Sequence, residues 1–253
     1  ETGLWLRPLY YSATRETGWD PILREARAVR QNVGICDVST LGKIDIQGRD
    51  AGIFLDRLYT NTFSTLAVGK ARYGLMLRED GMVFDDGTTS RLTETRYLMT
   101  TTTAKAAEVL AHMEFLHQTV WPELDVRYCT VTDQWAQMSV AGPKTRLALQ
   151  GCVEGLDLSN EAFPFMGVSE ATIAGCPVRA LRITYMGELG WELHLPVEYA
   201  PRVYEALVAA GAPLGLVDAG YRCIESTRLE KGYRAWGSDI GPDHTPEIGR
   251  AHV

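Results

Sequence analysis

A short stretch in the first third of the chain limits the possible folds more than any other feature. Residues 73–88 read YGLMLREDGMVFDDGT, two apolar runs separated by Glu79, Asp80 and Gly81. An Asp-Gly pair between apolar runs predicts a β-hairpin, because glycine accepts the positive φ that a tight turn needs. We therefore expect this part of the chain to form an antiparallel sheet.

The second strand of the hairpin carries two adjacent carboxylates, Asp85 and Asp86, followed by Gly87. Neighbouring side chains on a strand point to opposite faces, so only one carboxylate can face a given pocket. Asp and Gly are depleted in strands, and a local conflict of this kind marks either a functional site or a turn. Two interpretations stay open from the residues alone: a functional carboxylate, or a second turn or bulge with solvated carboxylates.

The length and composition limit the classes of protein. With 253 residues, 45% of them hydrophobic, the chain can bury the core of one large domain or of two small ones. A formal net charge of −7 and the lack of a basic run argue against a general nucleic-acid-binding protein. No apolar run approaches the roughly 18 residues of a membrane span, and the first residues do not resemble a signal peptide.

The cysteines and histidines predict no metal or redox centre. The five cysteines are widely spaced and form no CxxC pair. This usage is typical of reduced thiols in a cytosolic protein, so we expect a cytoplasmic location. The five histidines form no ligand cluster along the sequence.

Hydrophobic periodicity and turn residues predict an α+β chain rather than a doubly wound one. Two antiparallel-sheet-plus-helix units are expected within 1–253, with a loose boundary near 150–165, and residues 247–253 resemble a non-native tail. Asp20 is the expected N-cap of the first helix, and strands 125–131 and 134–140 are expected to pair. The predicted helices cover 20–34, 50–59, 103–118, 143–149, 199–210 and 218–231, and strands outside the hairpin cover 43–47, 96–102, 125–131, 134–140, 169–173, 178–185 and 191–195.

Common catalytic motifs are missing: the sequence has no GxGxxG, Walker, HExxH or GxSxG pattern. Polar side chains instead gather at the ends of predicted strands and in a late helix, with aromatic residues near them. Carboxylates that accept from ring N–H groups, beside stacked aromatic rings, would suit a flat, nitrogen-rich heterocycle. Core packing is the alternative for each aromatic residue. These residues are Asp85, Asp86, Thr100 to Thr103, Glu192, Arg228 and Glu230, with Tyr73, Tyr185, Trp191 and Trp236.

Six spaced blocks of sequence carry a family resemblance. In this order they resemble the aminomethyltransferase family, the folate-binding T-protein of glycine cleavage. Residues 5–11 and 38–47 are most similar to the same fold in the C-terminal half of sarcosine oxidase alpha subunits and dimethylglycine dehydrogenases. The resemblance implies that fold without the family's final β-rich domain, that is, a C-terminally truncated chain. The blocks are 33–43 (VGICDVSTLGK), 69–73 (GKARY), 80–86 (DGMVFDD), 141–143 (AGP), 184–192 (TYMGELGWE) and 228–232 (RLEKG).

The resemblance also implies a reaction. Tetrahydrofolate would accept a one-carbon unit from the oxidation of a methylated amine such as sarcosine or dimethylglycine, and methylenetetrahydrofolate would form. Any FAD or NAD would belong to regions absent from this chain or to flavin-bearing partner subunits. Two alternatives stay open: a non-catalytic module that binds folate and assembles subunits of a flavin-dependent amine oxidase, and a structural relative that has lost folate.

Site residues follow from the same resemblance, position by position. Asp86 matches the family's catalytic aspartate, which would orient the folate amines and stabilise developing positive charge. Glu192 matches the glutamate that holds the pterin ring. Thr101 falls on a polar contact, and three aromatic residues fall on positions that line the folate pocket, namely Tyr73, Tyr185 and Trp236.

Departures from the T-protein pattern affect the expected folate contacts. Ile224 stands where T-proteins carry an arginine that touches folate, so the contact is lost or taken over by Arg222 or Arg228. The T-protein pattern also differs at Gly87 and Thr88 and at residues 39–41. These differences argue against a glycine-cleavage role with a lipoyl-carrier partner.

Overall fold

The computed structural model describes residues 2–13 and 15–247. They form two compact units, each a sheet with helices: one holds Trp5–Thr40 and Asp133–Tyr233, and the other holds Thr2–Leu4, Leu41–Thr132 and the chain from Arg234. Residues 150–165, where the sequence suggested a loose boundary, lie within the first unit. Of the expected tail at 247–253, residues 248–253 lie outside the described residues.

Twelve strands and six α-helices make up the described part of the chain. The helices are α1 (Asp20–Gln31), α2 (Ala51–Leu58), α3 (Ala106–Thr119), α4 (Thr145–Gln150), α5 (Ala200–Gly211) and α6 (Tyr221–Glu230). The strands are β1 (Val33–Asp37), β2 (Gly42–Gln47), β3 (Lys70–Leu77), β4 (Val83–Thr93), β5 (Arg96–Thr101), β6 (Arg127–Thr130), β7 (Trp135–Ala141), β8 (Val153–Glu154), β9 (Val168–Ile173), β10 (Cys176–Leu181), β11 (Gly190–Pro196) and β12 (Leu216–Asp218).

The first unit is built on a seven-stranded sheet in the order β12-β1-β7-β11-β10-β9-β8. Its ladders are antiparallel except for the parallel pairing of β1 with β12. Side chains alternate along β11, where Trp191, Leu193 and Leu195 are buried in one apolar core with Val203 and Leu207 of α5. Glu192 and His194 therefore point to the opposite face of this sheet.

The second unit is built on a five-stranded antiparallel sheet in the order β3-β4-β5-β2-β6. Strand β2 lies inside this sheet, and Ile44 and Ile46 are fully buried with Phe54 of α2 and Val109 of α3. Hydrophobic residues at helical spacing thus cover one face of the sheet. The α+β class with two antiparallel-sheet-plus-helix units is confirmed.

The hairpin of residues 73–88 forms as predicted. Gly81 has a φ of +81° in the turn, and β3 pairs with β4 along its length. The alternative of a second turn at Asp85-Asp86-Gly87 is wrong, because β4 continues through these residues to Thr93. The bulge offered by the same alternative occurs one residue earlier: the register shifts between the pairs Met76–Asp85 and Leu77–Val83, and Phe84 has no partner in the ladder. Both carboxylates lie on paired residues of the strand.

One predicted pairing is wrong. Strands β6 and β7 lie close in sequence but belong to different sheets, since β6 pairs with β2 and β7 pairs with β1 and β11. A short 3-10 turn at Thr132–Gln134 separates them. The alternating pattern identified both strands correctly, but nearness in sequence assigned each the wrong partner.

Smaller differences concern element ends. Trp19, rather than Asp20, is the N-cap of α1, and Gly34 lies inside β1 instead of ending the helix. Strands β1, β8 and β12 were not predicted. Strand β8 has only two residues, and β1 and β12 are short and follow or precede strong helical patterns. The apolar side chain of Ile53 on α2 is 45% exposed.

No helix among the described residues is both long and apolar enough to cross a membrane. The same part of the chain holds no group of three or more His, Cys, Asp or Glu side chains arranged to bind a metal ion.

Candidate functional site

The two adjacent carboxylates of β4 lie opposite β3, with Asp85 facing Met76 and Asp86 facing Leu75 in the ladder. Asp85 is fully buried, and Asp86 is half-buried. The Asp86 carboxylate accepts a hydrogen bond of 2.9 Å from the Tyr73 hydroxyl. The predicted residues Tyr73 and Asp86 are thus in direct contact.

Thr102, which the sequence named only as a member of the run Thr100 to Thr103, bonds to both carboxylates. Its hydroxyl donates to Asp86 Oδ1 at 3.2 Å, and its backbone N–H lies 3.3 and 3.4 Å from the two oxygens of Asp85. Thr101 was the predicted contact, but it is buried, and its hydroxyl donates to the carbonyl of Thr102. The threonine run signalled polar chemistry here, whereas the choice among its members depended on the strand register.

Burial dominates the electrostatics of the pair. It raises the pKa of Asp85 well above its usual value, and the neighbouring charge of Asp86 raises it further. Burial also raises the pKa of Asp86, against the opposing hydrogen bonds from Tyr73 and Thr102. A half-buried carboxylate with a raised pKa can exchange a proton closer to neutral pH than a solvated one.

Asp85→Asn is expected to raise the melting temperature (Tm) at pH 8 and to lose this advantage near pH 4. Because the pKa of Asp85 is higher in the folded state, the folded protein binds the proton more tightly than the unfolded chain. The free energy of unfolding of the natural chain therefore falls as pH rises from the usual value of 3.8 through the raised pKa. Asparagine removes this fall, so the Tm difference between variant and natural chain should grow with pH.

Asp80→Asn is the matched control on the same hairpin. The hydrogen bond from Arg78 lowers the pKa of Asp80, so its substitution should reduce stability above that pKa, the opposite sign. Thermal unfolding, followed by circular dichroism from pH 4 to pH 8, measures how the Tm of each variant changes with pH relative to the natural chain. If the Tm of Asp85→Asn changed with pH in parallel with the Tm of the natural chain, the claim that burial raises the pKa of Asp85 would be contradicted.

Trp236 lies in the same unit as the carboxylate pair and packs against the same apolar cluster as Tyr73. Both rings cover a small apolar cluster formed by Leu75, Val83 and Ile240. The Lys105 ammonium lies 5.0 Å from the ring centre of Trp236, within the range of a cation–π contact. The second unit therefore brings together three of the predicted site residues, Tyr73, Asp86 and Trp236, through one bond and one shared cluster.

Glu192 belongs to the first unit and lies on β11. Its carboxylate accepts a hydrogen bond of 2.7 Å from the side chain of Gln137 on β7. His194 is fully buried two residues further on, with its Nε2 3.9 Å from the same Glu192 oxygen. Only 13% of the Glu192 side chain is exposed. Its carboxylate is therefore largely buried beside the side chains of Gln137 and His194.

Tyr185 and Arg228, the other predicted residues of the first unit, both contact Tyr233. The rings of Tyr185 and Tyr233 stack with their centroids 6.1 Å apart. Arg228 donates a hydrogen bond of 2.8 Å to the backbone carbonyl of Tyr233. Arg228 is almost fully buried and also pairs with Glu225. Ile224 is buried as well. The structure thus gives Arg228 a role in holding Tyr233 beneath the exposed ring of Tyr185.

A separate cleft of about 290 Å³ opens on the first unit. Asp37 and Asp218 line it, but each already has a donor: the backbone N–H of Ser39 bonds to Asp37, and the Tyr204 hydroxyl bonds to Asp218. Burial, with these charges, raises the pKa of Tyr11 in the same cleft to about 12. None of the predicted site residues lines this cleft, and both of its carboxylates already accept a hydrogen bond from within the unit.

The sequence matches the family model of the GCVT N-terminal domain over residues 1–249. The chain belongs to this family. The predicted resemblance to the T-protein aminomethyltransferases is thereby confirmed, and the match runs across both units.

Known proteins extend this assignment. The sarcosine oxidase subunit alpha of Rhizobium meliloti is 50% identical over 236 residues, which cover 92% of this chain and 24% of that protein. Mouse mitochondrial dimethylglycine dehydrogenase is 35% identical over 245 residues, 94% of this chain and 27% of that protein. The chain thus spans about a quarter of the length of these relatives, and the predicted likeness to both enzyme types is confirmed.

A solved structure shows the same fold. The glycine cleavage system aminomethyltransferase T from Bartonella henselae superposes with a TM-score of 0.83 at 26% identity, covering 98% of this chain and 63% of that one. This GCVT-family chain is therefore an aminomethyltransferase-like domain related to sarcosine oxidase alpha subunits and dimethylglycine dehydrogenases.

Proposed function

We propose that this GCVT-family chain transfers a one-carbon unit to tetrahydrofolate and forms methylenetetrahydrofolate. The observation that carries the proposal is the environment of Asp86. This carboxylate is half-buried, has a raised pKa, and receives two donors, Tyr73 and Thr102. It stands at the position that the family resemblance assigns to the catalytic aspartate.

Each unit, taken by itself, holds residues that suit folate chemically. A pterin ring presents several N–H donors, and ionised carboxylates are acceptor-only groups. Glu192 offers such a carboxylate on the first unit, and Asp86 offers one on the second. The Gln137 side-chain oxygen is a buried acceptor without a partner among the described residues. Tyr73, Tyr185 and Trp236 supply aromatic surface, and Thr101 supports Thr102 beside Asp86.

Tetrahydrofolate, when bound, supplies the ring nitrogens that take up the one-carbon unit. Asp86 is proposed to orient those amines and to stabilise the positive charge that develops during transfer. Tyr73 and Thr102 hold its carboxylate in one orientation. Its raised pKa brings proton exchange closer to neutral pH than in a solvated carboxylate.

The donor side of the reaction is proposed from the relatives. They are named as a sarcosine oxidase subunit alpha and a dimethylglycine dehydrogenase, so we propose that a methylated amine of this type is the source of the one-carbon unit. Amine oxidation, with FAD or NAD, is assigned to regions outside this chain or to flavin-bearing partner subunits. The sarcosine oxidase relative is named as an alpha subunit, which supports the proposal of partner subunits.

One observation favours the alternative of a folate-binding and subunit-assembly module without chemistry. Arg228 is almost fully buried and bonds to Tyr233 and Glu225, so its guanidinium serves the fold. Ile224 occupies the position of the T-protein arginine. Under the alternative, folate is held while formaldehyde adds to it unaided, and Asp86 makes no difference to the rate.

Glu192→Ala is expected to weaken tetrahydrofolate binding by roughly 10- to 100-fold, because it removes charge-assisted hydrogen bonds to the pterin. Anaerobic titration calorimetry of tetrahydrofolate into the natural chain and the variant measures this change. Glu154→Ala, at an exposed glutamate on β8 of the same sheet, is the control and should bind as the natural chain does. Equal affinity of the natural chain and Glu192→Ala would contradict the assigned pterin contact.

A further inference from the structure

The sheet face opposite the apolar core of the first unit carries a group of polar side chains. His194 on β11 lies directly opposite Gln137 on β7, and Glu192 lies opposite Ser139 in the same ladder. Opposite residues in a ladder share a face, so the four side chains face one way. This polar group, defined by Gln137, Ser139, Glu192 and His194, is distinct from the core that buries Trp191 and Leu193.

Gln137 is the least expected member of the polar group. It lies within an otherwise mostly apolar strand and is fully buried. Its oxygen has no hydrogen-bond partner among the described residues. Burying an unpaired amide oxygen costs free energy, so the fold alone gives no reason for glutamine at this position.

The single hydrogen bond shown for the Gln137 side chain goes to Glu192. Nε2 of Gln137 donates a hydrogen bond of 2.7 Å to Oε2 of Glu192, and Nε2 of His194 lies 3.9 Å from the same oxygen. Within the described residues, no donor bonds to the other oxygen of Glu192. One carboxylate oxygen is therefore held by a hydrogen bond from the protein, whereas the other is not.

We infer that Gln137 is a positioning residue, which holds the Glu192 carboxylate so that its second oxygen and remaining lone pairs meet paired N–H donors of a ligand. This inference rests on the proposed folate function. It adds that Gln137 acts through Glu192 and contributes to affinity rather than to stability.

The near-isosteric variant Gln137→Met tests this separation. It removes both the donor to Glu192 and the unpaired buried oxygen, so Tm should change by no more than about 2 °C, or rise. Tetrahydrofolate affinity should fall by roughly 3- to 10-fold, because the freed glutamate side chain must be ordered on binding. A role in the fold alone would instead lower Tm and leave the affinity unchanged.

Met138→Ala is the matched control on the same strand. Met138 is buried on the opposite, apolar face, so its truncation should lower Tm by several degrees without changing the dissociation constant for tetrahydrofolate. The double variant Gln137→Met/Glu192→Ala should bind no more weakly than Glu192→Ala alone, since Gln137 acts only through Glu192.

Calorimetry with tetrahydrofolate and thermal unfolding of the whole chain separate the outcomes. Weaker binding by Gln137→Met with an unchanged Tm, and unchanged binding by Met138→Ala, would support the inference. If Glu192→Ala weakens binding and Gln137→Met does not, the inference alone is overturned. Equal weakening by Gln137→Met and Met138→Ala also overturns it. A natural chain that binds no tetrahydrofolate overturns the proposed function, and the inference falls with it.

Discussion

Asp86→Asn is expected to slow the formation of methylenetetrahydrofolate by roughly 10²- to 10⁴-fold while the chain stays folded. Asparagine has nearly the same shape and retains one oxygen to accept from Tyr73 or Thr102. It carries no charge, however, and cannot accept a proton at neutral pH. The variant therefore removes the chemistry of the carboxylate and leaves most of its volume in place.

The measurement is the rate of methylenetetrahydrofolate formation from formaldehyde and tetrahydrofolate, with the uncatalysed rate subtracted. Asp80→Asn, at the exposed tip of the same hairpin, is the control and should react like the natural chain. An unchanged rate in Asp86→Asn would refute the catalytic role. A natural chain no faster than the uncatalysed addition would instead favour the folate-holding module.

The hairpin and its carboxylates could be predicted because their signals are local. Asp80 and Gly81 define a turn through backbone geometry alone, and the alternation around them defines two strands. The pairing of β6 and β7 was wrong because a ladder partner is decided by long-range packing, and sequence offers only nearness as a guide. The same limit explains why β1 and β12, which pair in parallel across nearly two hundred residues, were not found.

The site residues show the same contrast between local signals, which the sequence carries, and long-range contacts, which it does not. Tyr73 and Asp86 were predicted, and their contact follows from the hairpin register. Thr102 was named only within the run Thr100 to Thr103, because which threonine of the run reaches the carboxylates depends on where β5 ends. Gln137 carries no motif at all, and its contact with Glu192 exists only once β7 and β11 pair. The resemblance predicted Asp86 and Glu192, while their contacts with Thr102 and Gln137 became visible only in the structure.

Gly87→Ala is expected to cause the largest loss of stability, about 2–4 kcal/mol in the free energy of unfolding. A Cβ at this position would lie 2.0 Å from the carbonyl oxygen of Thr100. The obstacle is backbone, which cannot rotate away as a side chain can. Strands β4 and β5 would have to separate there, although Thr88 and Thr100 bond to each other across the same gap.

Separation of these strands would also move Thr102 away from both carboxylates, so Gly87→Ala should reduce the transfer rate together with Tm. A loss of this size corresponds to a Tm decrease of about 5–15 °C, which scanning calorimetry can measure. Gly241→Ala is the control, because no atom lies within 4 Å of its added Cβ, and its Tm should stay within about 2 °C of the natural value. A Gly87→Ala chain with normal Tm and normal rate would show that the approach of β4 to β5 is not what fixes the Asp86 site.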